Sequence, residues 1–330
     1  MKWEETFEKF KDNKILIIGD IMLDTYLMGK VERISPEAPV PIVDIDEKID
    51  KLGGAANVAL NIQQLEATPI ICSVIGRDQR GFELESLLNQ NNLKTKYLYK
   101  SRTRKTTNKI RVIGNNAQMM RIDEETKVEI DDICFERLKE KIIIAVAENK
   151  IDAIIFQDYD KGVITQKTIN YILALSKKRN IPLFVDPKVR NFELYKKIKL
   201  FKPNFNELKR GIKNEELEID RYEEIIPFVE RLMNEQEIDI FYTTMGSMGI
   251  FVSYRNGDKK IQHKHIHGEK RSVADVSGAG DTVISVSTLL TINGIDPIET
   301  AIISNIAGGM VCEKVGVVPI NKEELLKEID

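Results

Sequence analysis

Cysteine is scarce. Cys72, Cys134 and Cys312 are the three in a chain of 330 residues, and no two form a CxxC pair. That excludes a disulfide framework and a cysteine-built zinc site, and it fits a reducing cytoplasm. An excess of either charge is missing too. Lys and Arg number 49 against 52 Asp and Glu, a net charge of −3. No nucleic acid or acidic membrane is called for as a partner. Long hydrophobic runs are lacking: the longest uncharged stretches, around 282–295 and 300–312, are too short and too polar to span a bilayer. The opening MKWEETFEKFKDNK is charged and has no apolar centre, so it does not read as a signal peptide. Three signatures are absent as well. No GxxxxGK[ST] occurs, no GxGxxG follows the first strand, and there is no GxSxG. These absences argue against a Walker-type enzyme, a dinucleotide dehydrogenase and an α/β-hydrolase.

What is present is a strand–helix rhythm. KILIIG (14–19) is a short apolar run ending in Gly, the pattern of a buried strand. A helix opened by glycines is predicted over 53–67, a strand over 68–76 and a helix near 79–92. The rhythm repeats with a strand at 152–158, a helix at 165–178 and strands at 181–187 and 238–246. Two helices, about 279–293 and 297–313, close the chain. Such alternation implies an α/β fold, a mainly parallel sheet with helices on both faces. Two segments break it. Residues 25–50 contain PEAPVPIVDI, too proline-rich for a central strand, and residues 96–122 read as a polar antiparallel hairpin. With no linker in sight, 1–330 reads as one domain with a small β lid, its strands drawn from about 22–50 and 96–122.

In parallel α/β sheets ligands sit at the carboxyl ends of strands, and five clusters fall there. VADVSGAGDTVI (273–284) puts Gly278, Ala279 and Gly280 at a helix mouth with Asp281 just inside. Free amides at a helix start bind anions, and glycine admits a phosphate closely. The helix end favours an ionised carboxylate, so Asp281 is expected to be charged. An acid beside an anion hole suits phosphoryl transfer, the acid taking the acceptor hydroxyl's proton; the alternative is an ordinary tight helix start. Asp20 and Asp24 in GDIMLD would grip hydroxyls of a polyol, or simply form a turn. Gly53, Gly54 and Asn57 in GGAANVA would approach a sugar, or merely initiate a helix. Asn204 and Glu207 in KPNFNE would organise Mg²⁺ and its waters near a triphosphate, yet Asn with Glu three later also matches a capping box. TTMGSMG (243–249) would line a nucleotide's phosphates or ribose, or make a tight turn.

Basic residues supplement these. Thr107, Lys109 and Arg111 alternate and so share a strand face. A cationic face on a lid suits a phosphorylated substrate; the alternative is an edge strand blunted by Lys. Asp158 and Lys161 in DYDKG lie beyond another strand end. His263, His265 and His267 alternate too, and with no carboxylate or Cys nearby in sequence they read as a solvated face rather than a metal site.

Taken in order, GD near the N-terminus, GGAANVA, N-x-x-E, T-x-GSxG and GAGD resemble the ribokinase-like (phosphofructokinase-B) family of sugar kinases, from about Ile15 to Val318. A narrower resemblance lies in RISPEAPVPIV (33–43), TTNKIRVI, MMRID, DYDKGVIT, FVDPK and DVSGAGDTVI. These are similar to the kinase part of bacterial D-glycero-β-D-manno-heptose-7-phosphate kinases, often fused to a nucleotidyltransferase. The resemblance implies a stand-alone, cytoplasmic, ATP- and Mg²⁺-dependent kinase. It makes Asp281 the base and Gly278, Ala279 and Gly280 the anion hole. It assigns the nucleotide to Lys188, Asn204, Glu207, Thr244, Gly246, Ser247, Gly249 and Asn305. Asp20, Asp24, Gly53, Gly54 and Asn57 would hold the sugar. Lys109, Arg111, Asp158 and Lys161 complete the substrate set, and charge and placement point to its three cations as the phosphate ligands. Asp275 lies where related enzymes bind a monovalent cation such as K⁺. A homodimer is expected, because lid strands leave edges that a second subunit would cover. Ser277 for the usual Thr, Thr25 for Arg and Asp160 for Gly or Ala depart from the pattern. They bear on the substrate, so a kinase of another sugar or sugar phosphate stays open, as does a non-catalytic sugar-phosphate-binding regulator.

Overall fold

Chain order builds the molecule outward from one apolar strand. The computed structural model describes residues 2–255, 257 and 260–329. The first elements are α1 (Lys2–Glu8), β1 (Lys14–Gly19), β2 (Ile21–Ile34), β3 (Pro41–Gly54), α2 (Ala55–Gln64) and β4 (Thr68–Gly76). Next come α3 (Gln79–Gln90), β5 (Leu98–Ser101), β6 (Thr107–Gly114), β7 (Ala117–Glu124), α4 (Asp132–Glu148), β8 (Ala153–Gln157), α5 (Gln166–Arg179) and β9 (Leu183–Asp186). The remainder is β10 (Leu200–Phe201), α6 (Phe205–Gly211), α7 (Ile226–Glu235), β11 (Ile240–Thr244), β12 (Gly249–Arg255), β13 (Ile261–His267), α8 (Ala279–Ile292), α9 (Pro297–Cys312) and α10 (Lys322–Ile329).

Among the described residues, nine strands form the main sheet in the order β13-β12-β11-β10-β9-β8-β1-β4-β5. Pairing is parallel from β5 through to β11, and β12 and β13 are antiparallel additions at one edge. Because side chains alternate along a strand, the apolar runs supply two cores. Ile15 and Ile17 face a cluster with Val58 of α2, Ile284 and Leu289 of α8 and Ala307 of α9. Leu16 and Ile18 face the opposite one, with Leu138 and Ile142 of α4, Ile169 of α5 and Leu232 of α7. The mainly parallel α/β sheet covered on both faces is therefore as the sequence predicts. No helix among the described residues is long and apolar enough to cross a membrane.

A second sheet, β3-β2-β6-β7, stands off the first. Here β2 pairs antiparallel with β3 and parallel with β6, and β6 pairs antiparallel with β7. The 96–122 segment is not a single off-sheet hairpin. Leu98 is buried in the core, so β5 joins the main sheet beside β4, and only the later part turns away. The glycines of GGAANVA end β3 rather than lie in the helix, which opens on Ala55. Gly54 has φ +62°, and a Cβ there would sit 2.3 Å from the Asp20 carbonyl oxygen, so glycine permits the tight crossing that seats α2 beside β1.

The strand order fixes where a site can form. From β1 the chain steps outward to β4 and β5, then returns to place β8 on the other side of β1. The crevice at the carboxyl ends of β1 and β8 is thus a topological switch point, the usual location of ligands in open α/β sheets.

Candidate active site

Asp281 occupies that crevice. It lies in the first turn of α8 and is 2% exposed. Gly278 caps the helix in the left-handed region at φ +87°, where a Cβ would approach the Asn57 amide nitrogen to 2.8 Å. Three side chains from other elements converge on the carboxylate. Asn57, in the first turns of α2, donates its amide to Oδ2 at 2.7 Å. Gln157, last in β8, donates to Oδ1 at 2.9 Å, and the Tyr159 hydroxyl donates to the same oxygen at 2.7 Å. Burial and the charge of Asp281 raise the Tyr159 phenol well above its ordinary value, so it stays a donor.

The helix-end expectation for Asp281 needs correcting. Burial pushes its carboxyl up to about 7, against the pull of hydrogen bonds from Asn57 and Tyr159. Loss of water outweighs a helix end worth a fraction of a pKa unit at an exposed site. The group is poised near neutrality, which suits a general base better than a fully ionised acid does.

On one side of Asp281 opens a cleft of about 670 Å³. Gly278, Ala279 and Gly280 line it together with Lys188, Asn204, Glu207, Thr244, Gly246, Ser247, Gly249 and Asn305. The structure thus brings the anion-hole residues and the whole predicted nucleotide set to one cavity. Gly246 in the turn before β12 and Gly249 at its start hold φ +57° and +93°. Asn204 and Glu207 form the capping box: Asn204 Oδ1 accepts from the Glu207 amide and Glu207 Oε2 from the Asn204 amide, each at 2.8 Å. The other Glu207 oxygen takes the Lys188 ammonium, which also lies 5.3 Å from the Tyr159 ring centroid. Asn305 donates to the His267 carbonyl at 2.9 Å. Sequence reasoning passed over Asp186 and Lys202, which form a buried ion pair of 2.9 Å in this cleft. A Cβ on Gly280 would lie 3.3 Å from the Lys202 ammonium.

On the other side, the predicted sugar set is rearranged by its own contacts. Both Asp20 oxygens serve the loop after β8: Oδ1 accepts from the Val163 amide and Oδ2 from those of Tyr159 and Lys161, at 3.0–3.1 Å. Asp20 is therefore a brace for that loop. Asp158 is another, accepting from Asn191, Tyr195 and the Asp160 amide. Burial, then the charge of Asp20, raises its carboxyl to about 6. Asn57 spends its amide on Asp281. Asp24 pairs with the Arg111 guanidinium, so a predicted sugar ligand and a predicted phosphate ligand hold each other. Gly53 makes room for this pair, since a Cβ there would lie 2.4 Å from Asp24 Oδ2. Lys109 shares the half-buried face of β6 with Arg111, and Lys161 is 2.8 Å from Glu125, a residue the sequence did not single out.

Asp275 braces two loops, accepting from the Ser277 amide at 2.9 Å and the Gly316 amide at 3.1 Å. The three histidines do alternate on β13, but His263 and His265 are half-buried against Phe251 and Tyr222 rather than freely solvated. Among the described residues no group of three or more His, Cys, Asp or Glu is arranged to hold a metal.

A helix mouth open to a cleft, with a buried carboxyl just inside, is an arrangement that suits phosphoryl transfer. The model of the pfkB family of carbohydrate kinases matches residues 12–324. This chain belongs to that family. It is 38% identical over 319 residues to the bifunctional protein HldE of Methylobacillus flagellatus, covering 96% of this chain and 63% of that protein. To the bifunctional protein HldE of Helicobacter hepaticus it is 34% identical over 321 residues, 97% of this chain and 64% of that one. The chain thus spans just under two thirds of the length of these curated relatives. Among solved structures, phosphofructokinase-2 from Escherichia coli in complex with potassium superposes with a TM-score of 0.76 at 17% identity, covering 96% of this chain and 98% of that one. Ribokinase of Arabidopsis thaliana, complexed with ribose and ATP, gives 0.69 at 17% over the same shares. The fold is ribokinase-like.

Proposed function

We propose that this chain phosphorylates the anomeric hydroxyl of D-glycero-β-D-manno-heptose 7-phosphate, giving the 1,7-bisphosphate, within ADP-heptose synthesis. The observation that carries the reading is Asp281, buried at the mouth of α8 beside the nucleotide-type cleft and joined through Tyr159 to the loop that presents Lys161. The relatives this chain matches over just under two thirds of their length are named bifunctional, which supports a kinase that forms one part of such proteins.

Asp281 takes the proton of the acceptor hydroxyl. Asn57, Gln157 and Tyr159 fix its position, so no reorganisation is needed as the charge shifts. The amides at the mouth of α8 hold the moving phosphoryl group, whose transfer depends mostly on positioning and charge neutralisation. Lys188 and Lys202 add positive charge along the cleft. The small sheet closes over the sugar and excludes water that would otherwise hydrolyse ATP. Glu207, Asp186 and Asn204 line the cleft, and with their oxygens already serving the capping box, Lys188 and Lys202 they would hold Mg²⁺ through its water shell. When bound, the ion neutralises the terminal phosphates. Asp275, near the helix mouth, would serve a K⁺ ion through its loop.

The test is ADP release with a panel of sugars. Turnover on heptose 7-phosphate should far exceed that on fructose 6-phosphate or ribose, with product mass of a bisphosphate. Preference for another sugar would overturn the heptose assignment. Tight sugar-phosphate binding without turnover on any sugar would indicate a regulator instead.

A further inference from the structure

We propose that Glu125 is the resident counter-ion of the sugar-phosphate subsite and that the substrate's phosphate displaces it. This rests on the reading of Lys109 and Lys161 as the phosphate-binding pair. Glu125 directly follows β7, and its side chain is 13% exposed. Its Oε2 lies 2.8 Å from the Lys161 ammonium and 3.9 Å from that of Lys109, while Oε1 is 3.9 Å from the Lys127 ammonium. Oε2 is buried yet makes no aligned hydrogen bond, so charge alone holds it.

A half-buried ammonium group, Lys109, beside a buried one, Lys161, is costly. Burial and then the charge of Lys161 pull the Lys109 pKa down. Glu125 is the carboxylate set against both; Asp123, the other acidic group near them, is held by Arg121. A phosphate monoester brings nearly two negative charges and three acceptor oxygens, and so outcompetes the carboxylate. A neutral sugar brings neither and leaves Glu125 in place. Glu125 therefore discriminates for phosphorylated sugars: it fills the subsite until an anion of higher charge arrives.

The loop that carries it is fixed, so the exchange is a side-chain movement. The Ile130 amide donates to the Gly162 carbonyl at 3.0 Å, and Arg104 donates to the Val128 carbonyl at 3.2 Å. Gly162 belongs to the loop that presents Lys161 and, through Tyr159, touches Asp281.

The experiment uses the whole chain and inorganic phosphate as probe, read by calorimetry and by the thermal upshift at fixed phosphate. Glu125→Gln should tighten phosphate roughly tenfold or more, the worth of one charge-assisted contact. It should also lower KM for heptose 7-phosphate, which loss of a merely structural contact would not do. Glu125→Asp, which withdraws the carboxylate by one methylene, should act in the same direction to a smaller degree, and it decides the matter if the Gln variant does not fold. Unchanged or weaker phosphate binding in these variants, with binding lost in Lys161→Ala, overturns the exchange but keeps the phosphate subsite. Binding unaffected by both Lys109→Ala and Lys161→Ala overturns the phosphate subsite itself.

Discussion

At the scale of single residues, chemistry here depends on how much water a carboxylate loses. Asp281 is buried and rises to about 7. As the free enzyme's base it must be ionised, so the acid limb of kcat/KM should have its midpoint near pH 7. Tyr159→Phe removes a donor that favours the ionised form, and the limb should therefore move to higher pH; a steady-state pH series measures this, and an unmoved limb would detach Tyr159 from the base. The shift also has a stability sign. A folded-state value raised from the ordinary 3.8 contributes stability below that value and loses it as pH rises through about 7. The gap in melting temperature between Asp281→Asn and wild type should accordingly move in the variant's favour from pH 6 to pH 8. Asp281 was legible in GAGD because a short motif carries it. Its burial was not, because that depends on α2 and β8 closing over it from distant parts of the chain. For Asp20 and Asp24, residue type invites a sugar-binding reading, and what the sequence did not show is that their oxygens also serve loop amides and Arg111.

At the scale of elements, glycines decide where α8 and α2 begin. Gly278 at φ +87° sits against the Asn57 amide that holds Asp281. Gly278→Ala should cost about 1–3 kcal/mol for a non-glycine residue held in a sparsely populated backbone region. It should lower kcat more than it raises KM for ATP, since the Cβ displaces Asn57; kinetics alongside chemical denaturation would check both. The strand–helix alternation was readable because long apolar runs bury on both faces of a parallel sheet. Shorter elements escaped: β10 has only two residues, too few for a period, and β5 has four within a polar stretch, paired with β4 across the α3 crossover. Gln157, Asp186 and Lys202 went unmarked for a related reason. Each lies at or just after a strand end, and only the strand order shows which ends meet.

At the scale of the whole molecule, the small sheet leaves apolar side chains outside. Ile34, Val40 and Ile45 on and between β2 and β3, and Met120 and Ile122 on β7, are 45–62% exposed. β7 is an edge strand, and such edges are usually paired or covered. A homodimer formed through these sheets should appear as twice the chain mass of 37.7 kDa by light scattering at working concentration, and Ile122→Lys should shift it toward monomer. A monomeric wild type would contradict that assembly. Asp281, buried beside the cleft, is the group we assign to the acceptor hydroxyl. The most direct measurement is therefore kcat of Asp281→Asn together with its ATP affinity. The prediction is a fall in kcat of roughly 10²–10⁴, the usual worth of a general base, with ATP binding nearly unchanged. Near-wild-type turnover would contradict the assignment of Asp281 as the base.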